Sequence, residues 1–254
     1  MDNYTLNVNI TNSINIISFS NLHGFGVLVQ TNIKTYYVLD NGGNKIHMFN
    51  DSWAYVGNAS LDSPSYMVTI GNYLFITSDS NIYKTDSRLN VLDKYSGATN
   101  NPSYRGIYFN CTESIIYVAS VNRHTIYAFN LNLTLNYSIN TSNHHPYSIS
   151  QKNGILYVGT YYHGNLLVIV NRTVISSFNS LCSSALTSIR FDSFGYMTTL
   201  CTNSQMLLYF TNRTYIKTYQ SIPINSTFIG FDSKRFVFIL SQSEVNFYNY
   251  SLLN

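Results

Sequence analysis

In the turns and crossings between residues 105 and 163 stand Arg105, Arg123, His124, His144, His145, Tyr161, Tyr162 and His163. These types share a chemistry. Guanidinium groups fork onto acidic and carbonyl-rich ligands, and tyrosine and histidine rings stack on planar ones. Histidine also changes charge near pH 6. The set reads as a ligand-binding patch, provided that the fold gathers it. No Gly-x-Ser-x-Gly elbow, P-loop, His-Glu-x-x-His helix or dinucleotide fingerprint occurs. The sequence therefore nominates no catalytic residue and no cofactor. It nominates no metal site either. His144 and His145 are adjacent, so on an extended segment they point to opposite sides. Cys111, Cys182 and Cys201 lack the paired spacing of a zinc site.

The elements that must hold these residues follow from a repeat. Tyr37, Phe75, Tyr117, Tyr157, Met197 and Val237 occupy one position in six copies, spaced by 38, 42, 40, 40 and 40 residues. Each copy is an apolar run, a polar turn and a second apolar run, as in YYVLDNGGNKIHMFN from Tyr36. The runs are rich in Tyr, Phe, Ile and Val and the breaks in Asn, Gly and Ser, which is hairpin chemistry. A shorter strand precedes each hairpin (MVTIG, RGIYFN, YSISQ) and another follows it (WAYVGNA, TLNYSIN). Four strands per copy cannot bury both faces of a sheet alone, so neighbouring copies must stack. The expected fold is all-β: a single domain over residues 1–254, a six-bladed β-propeller of four-stranded antiparallel blades. The N-terminal strand, residues 3–10, is expected to complete the last blade and close the ring, which would remove an exposed edge. The first blade is expected to begin near Asn15, with INIISFS as its inner strand or the approach to it.

The copies resemble NHL repeats. In that family an Asp-x-x-Gly turn ends the inner strand, and Asp-x-x-Asn-x-x-Ile follows the next one. Here Asp192 to Gly195 precedes Tyr196, Asp40 to Asn44 precedes Ile46, and Asn122, Arg123 and His124 precede Ile126 in the same register. Pro64, Pro102, Pro146 and, less regularly, Pro223 stand before inner strands. The resemblance implies a six-bladed propeller. It also implies a candidate RNA-binding or adaptor role in the cytosol. Against nucleic acid, Lys and Arg total only 14, are scattered, and leave a net charge of +3.

In such a ring the patch falls on the top face of the third and fourth blades. Asp40, Asp79 and Glu244 fall near the channel mouth, where they read as turn caps before cation ligands. Sequons occur at twelve positions. Those at Asn3, Asn50, Asn132, Asn171, Asn212 and Asn249 fall in or beside third-to-fourth-strand turns. Asn110 falls in a first-to-second turn, and Asn58 and Asn136 fall on outer strands. They read as glycosylation sites on the bottom and rim. Charged residues make up only 10% of the chain, against about 25% in a typical domain, which suits a glycan-solubilised surface. The leading expectation is a non-catalytic extracellular recognition or scaffold module, part of a larger chain, binding a protein or glycan through its top face. The alternative is a metal-dependent hydrolase or lyase working in the central channel. No apolar run approaches ~18 residues, so no membrane insertion is expected. Cys182 and Cys201 could form one bridge, or all three cysteines could be small buried hydrophobes.

Overall fold

The computed structural model describes residues 10–13, 22–30, 33–97, 101–180, 182, 184–191, 195–203, 205–209, 215–219, 228–231, 236–240 and 245–249; side chains are described only up to Gln205. In chain order its strands are one lone strand, five complete sheets and a final three. β1 (Ile10–Ser13) stands alone at the start. The first sheet is β2 (Leu22–Gln30), β3 (Ile33–Asp40), β4 (Lys45–Phe49) and β5 (Tyr55–Ser60). The second is β6 (Tyr66–Ile70), β7 (Tyr73–Thr77), β8 (Asn81–Thr85) and β9 (Val91–Ser96). The third is β10 (Tyr104–Asn110), β11 (Ile115–Ser120), β12 (Thr125–Phe129) and β13 (Leu135–Asn140). The fourth is β14 (Pro146–Lys152), β15 (Ile155–Thr160), β16 (Asn165–Val170) and β17 (Thr173–Asn179). The fifth is β18 (Leu186–Phe191), β19 (Met197–Cys201), β20 (Met206–Tyr209) and β21 (Tyr215–Tyr219). The last three strands are β22 (Phe228–Phe231), β23 (Phe236–Leu240) and β24 (Val245–Asn249).

Every sheet among the described residues is a four-stranded antiparallel meander, and the sixth takes its fourth strand from the other end of the chain. There β1 pairs with β24, Ile10 opposite Tyr248 and Ser13 opposite Asn246. The sequence placed this strand at residues 3–10. The observed strand starts at Ile10, and residues 3–9 lie outside the described residues. Register is set by the partner strand, which sequence pattern alone does not supply.

Burial follows from stacking. Second strands lie between neighbouring sheets and are covered on both faces: all six residues of β11 and all five of β19 are buried. That explains runs such as IIYVAS, which carry no polar alternation. Outer strands β5 and β9 are largely exposed, and β17 alternates along its length. The core is a series of layers between sheets. Ile116, Val118 and Phe129 pack with Tyr104 and Tyr66, and Ile126, Ile139, Leu156, Val158 and Leu167 fill the layer between the third and fourth sheets.

The first strands, β2, β6, β10, β14, β18 and β22, touch one another in that order, and β22 also touches β2. They converge so tightly that glycine is needed. A Cβ on Gly24 would sit 2.6 Å from the Ser65 carbonyl oxygen, and one on Gly106 would sit 2.6 Å from that of Tyr147. This corrects the expected first inner strand. The strand observed is LHGFGVLVQ, not INIISFS, whose residues 14–20 lie outside the described ones. Glycines read locally as a turn, whereas here they mark the close approach of two sheets.

Candidate functional site

Four first strands carry a bulge at the same place, their N-terminal end. In β2 the register jumps between Leu22 and Gly24, leaving His23 unpaired. In β14 the unpaired residue is Tyr147, and in β18 it is Thr187. In β10 the jump lies between Tyr104 and Ile107 and frees Arg105 with Gly106. A bulge gives a strand one residue too many and re-aims a side chain. Here each gives up a residue next to the axis where the first strands meet. β6 has no jump, but its first residue, Tyr66, joins them.

These residues touch across sheets. The Tyr66 hydroxyl donates to the Thr187 carbonyl at 2.5 Å. The Tyr66 and Tyr147 rings meet edge to face, with centroids 6.0 Å apart. The Arg105 guanidinium donates to the Ser65 hydroxyl at 3.2 Å and to its own strand's Tyr104 carbonyl at 3.0 Å, and it pairs with the Asp79 carboxylate. Hydroxyls hold the bulges: Thr77 donates to the Arg105 carbonyl at 2.7 Å, and Ser148 to the Leu186 carbonyl at 2.9 Å. Three residues further along their strands, Tyr108 and Arg190 are electrostatic neighbours.

Burial sets the protonation states. It lowers the His23 imidazole to about 4, helped by Arg105 and opposed by Asp79 and Asp40. His23 is therefore neutral at pH 7. Its Nδ1 is sealed from solvent and has no hydrogen-bond partner, although such atoms are almost always paired. Burial raises the Tyr66 phenol well above 10 and raises Tyr147 as well. Arg105 is raised: Tyr147 and Asp79 outweigh the burial that opposes its charge. Burial lowers Arg190 to about 10, which leaves it charged at pH 7. The site thus holds one neutral imidazole whose Nδ1 lacks a partner, two protonated phenols and two guanidinium groups.

This set does not suit a metal cation. Among the described residues no group of three or more His, Cys, Asp or Glu could hold one, and guanidinium charge repels a cation. Asp40 and Asp79 are otherwise engaged. Asp40 accepts the Gly43 N–H at 3.0 Å and lies 3.7 Å from His47, while Asp79 pairs with Arg105. Glu244 lies outside the described residues.

The sequence-derived patch is split by the structure. Its rings form a ladder on the surface. His124 stacks edge-on to His145 at 4.2 Å, His145 meets Tyr162 at 4.6 Å, Tyr162 meets Tyr161 at 4.9 Å, and Tyr161 stacks on Tyr147 at 5.2 Å. The His144 carbonyl lies 3.2 Å from His124 Nδ1. Burial, then His124 and His144, lower His145. Arg123 and His163 are exposed, and no described ring contact ties His163 to the ladder. Arg105 belongs elsewhere: its bulge turns it into the axis. His23, Tyr66, Tyr147 and Thr187 were missed. The signal was their phase. With Arg105 they recur every 39 to 43 residues, one polar or aromatic side chain per copy.

Several sequon asparagines do turn work. Asn50 Oδ1 accepts the Ala54 N–H at 2.8 Å, and Asn132 accepts that of Thr134 at 3.2 Å. Asn110 is buried, and its Oδ1 accepts the Thr112 N–H at 3.0 Å. Asn58, Asn136 and Asn171 are exposed. Asn3 and Asn212 lie outside the described residues, as does the side chain of Asn249. Cys182 and Cys201 are joined in a disulfide with Cα atoms 6.0 Å apart, and Cys111 is free and exposed.

Stacked four-stranded meanders converging on their first strands make this a β-propeller. No family model and no curated protein sequence matches the chain. Solved structures do. A streptogramin B lyase superposes with a TM-score of 0.70 at 11% identity, covering 94% of this chain and 97% of that one. A selenomethionine-substituted virginiamycin B lyase from Staphylococcus aureus gives 0.70 at 11% identity, covering 95% and 89%. The likeness is one of fold. It corrects the expectation of a non-catalytic extracellular recognition module: the two propellers named here, which match this chain almost end to end, are lyases.

Proposed function

We propose that this chain is a lyase of propeller type that works at the axis of the ring. The observation carrying this reading is the set of four bulges that deliver His23, Arg105, Tyr147 and Thr187 to one place, beside Tyr66. A lyase needs a base to take a proton from carbon, a cation to stabilise the charge that develops, and an acid for the leaving group. Neutral His23 with its unpaired Nδ1 serves as the base. Arg105 supplies the positive charge, steadied by Asp79. Tyr147, within hydrogen-bonding reach of Arg105 and Tyr66, is the proton donor. In the elimination, the C–H electron pair becomes the new double bond, the proton goes to His23, and the leaving group departs with its bonding pair and takes the Tyr147 proton. No metal enters the scheme. That the two neighbours are named as lyases supports the reaction class.

The six sheets then act as the blades of a closed ring, with β1 on β24 as its clasp. The NHL-like turns at Asp40 and Asn122 support descent from that repeat. The Cys182–Cys201 bridge and the exposed sequons support an oxidising compartment, either the secretory pathway or the cell exterior.

Incubation with virginiamycin B followed by mass spectrometry tests the reading. The expected products together contain every substrate atom and no added water, and Arg105→Met abolishes their formation. Intact substrate after prolonged incubation, or a product that has gained water, overturns it.

A further inference from the structure

On the opposite face, away from the bulges, a cleft of about 270 Å³ opens between the third and fourth sheets. Its floor is apolar: Ile139, Leu156 and Ile169. Its rim is built from turns at the same end of both sheets. Glu113 stands in the β10–β11 turn and Arg172 in the β16–β17 turn, with Gln151 at the end of β14. Tyr117 and Tyr137 stand on the wall.

The directions of the two hydroxyl bonds in this cleft follow from one another. The Tyr117 hydroxyl donates to the Glu113 carboxylate at 3.0 Å and lies 2.8 Å from the Tyr137 hydroxyl. Tyr117 has one proton and spends it on Glu113, so Tyr137 must donate to Tyr117. Both phenol protons therefore point toward Glu113. What remains for a ligand is acceptor capacity: lone pairs on Tyr137 and the second oxygen of Glu113. Among the described residues no cation pairs with Glu113. The electron-rich face of Tyr137 already carries a positive charge, since the Arg172 guanidinium lies 3.9 Å from the ring centre. Arg172 is exposed, and its position shows what the ring attracts.

We propose that this cleft binds a small organic cation, an alkylammonium or guanidinium group. Its charge meets Glu113 and the Tyr137 ring, and its alkyl part lies on the floor of Ile139, Leu156 and Ile169. Arg172 is the built-in competitor that an incoming cation displaces. The cleft falls just below the usual range for drug-sized ligands, so the occupant is a few heavy atoms long.

Butylammonium chloride is the probe, titrated into the full chain and followed by NMR or calorimetry, with sodium butyrate as the control of the same length and opposite charge. Saturable binding of butylammonium and not of butyrate is expected. Glu113→Gln weakens it by about tenfold, and so does Tyr137→Leu, while Arg172→Ala tightens it. The Arg172 result separates a binding site from a merely structural cluster, because removing a structural cation would not improve affinity. Butyrate binding equally well, Arg172→Ala weakening the affinity, or no saturation by either probe would overturn the proposal. Glu113→Gln is expected to leave turnover at the axis unchanged.

Discussion

Acid destabilises this protein through His23. Its imidazole sits at about 4 in the fold, against 6.5 in an open chain. Because the folded value is the lower one, between pH 6.5 and pH 4 the unfolded chain binds a proton that the folded chain refuses. Stability therefore falls as pH falls through that window, and at pH 7 almost nothing is lost. Linkage puts the loss at about 2 kcal/mol at pH 5 and about 3 kcal/mol at pH 4. For a chain of this size, about 2 kcal/mol is roughly 4–8 °C in melting temperature. Burial also depresses His47 and His145, so the wild-type curve alone does not isolate His23. His23→Gln does, because glutamine keeps a polar head and cannot titrate in this range. Thermal melts of both proteins at neutral pH and near pH 5 give the answer. The variant should lose roughly 4–8 °C less on acidification than the wild type. Equal losses would mean that His23 is as free to protonate in the fold as in water, and the buried, unpaired Nδ1 on which the base assignment rests would be gone.

Asp79→Asn leaves the Arg105 guanidinium without its carboxylate. Arg105 is 17% exposed at its side chain and Asp79 is 37% exposed, so solvent screening reduces the cost of breaking a buried pair to about 1–3 kcal/mol, read as a drop in melting temperature. Tyr66→Phe strands the Thr187 carbonyl in a buried position and costs about 1–3 kcal/mol in urea unfolding, with the circular dichroism spectrum unchanged. Cys201→Ala opens a loop spanning 19 residues and costs about 3 kcal/mol. Peptide mapping without reductant should recover Cys182 linked to Cys201, and Cys111 alone should take up an alkylating agent.

The repeat was legible because stacking writes itself into sequence. The second strands of the first five copies are largely covered on both sides, so YVLD, FITS, YVAS and YVGT stand out at a nearly constant spacing. The turns were legible through Asn and Gly. The first strands were harder. β2 carries Gly24 and Gly26 where sheets crowd, and its bulge breaks the two-residue alternation that identifies a strand. The same device hid the axial site. Arg105 was picked out for its type, but its direction depends on a register jump set by pairing with β11, which no local pattern encodes. His23 and Tyr147 looked like ordinary members of apolar segments. The disulfide was one of two readings of three cysteines. It was decided by β18 and β19 lying side by side, with Leu186 opposite Cys201.

The pairing of β1 with β24 has a consequence for how the molecule is made. Ile10 meets Tyr248 across almost the whole length of the chain, so this contact carries the largest loop-closure cost and forms last. While the chain is being synthesised, sheets one to five can assemble in order as each emerges. The sixth cannot be completed until residues 245–249 are free. From then until β1 docks, β1 and β24 each present an unpaired edge, and a second chain can offer the same strand. A domain-swapped dimer, with β1 of each molecule seated on β24 of the other, is the misassembly built into this topology.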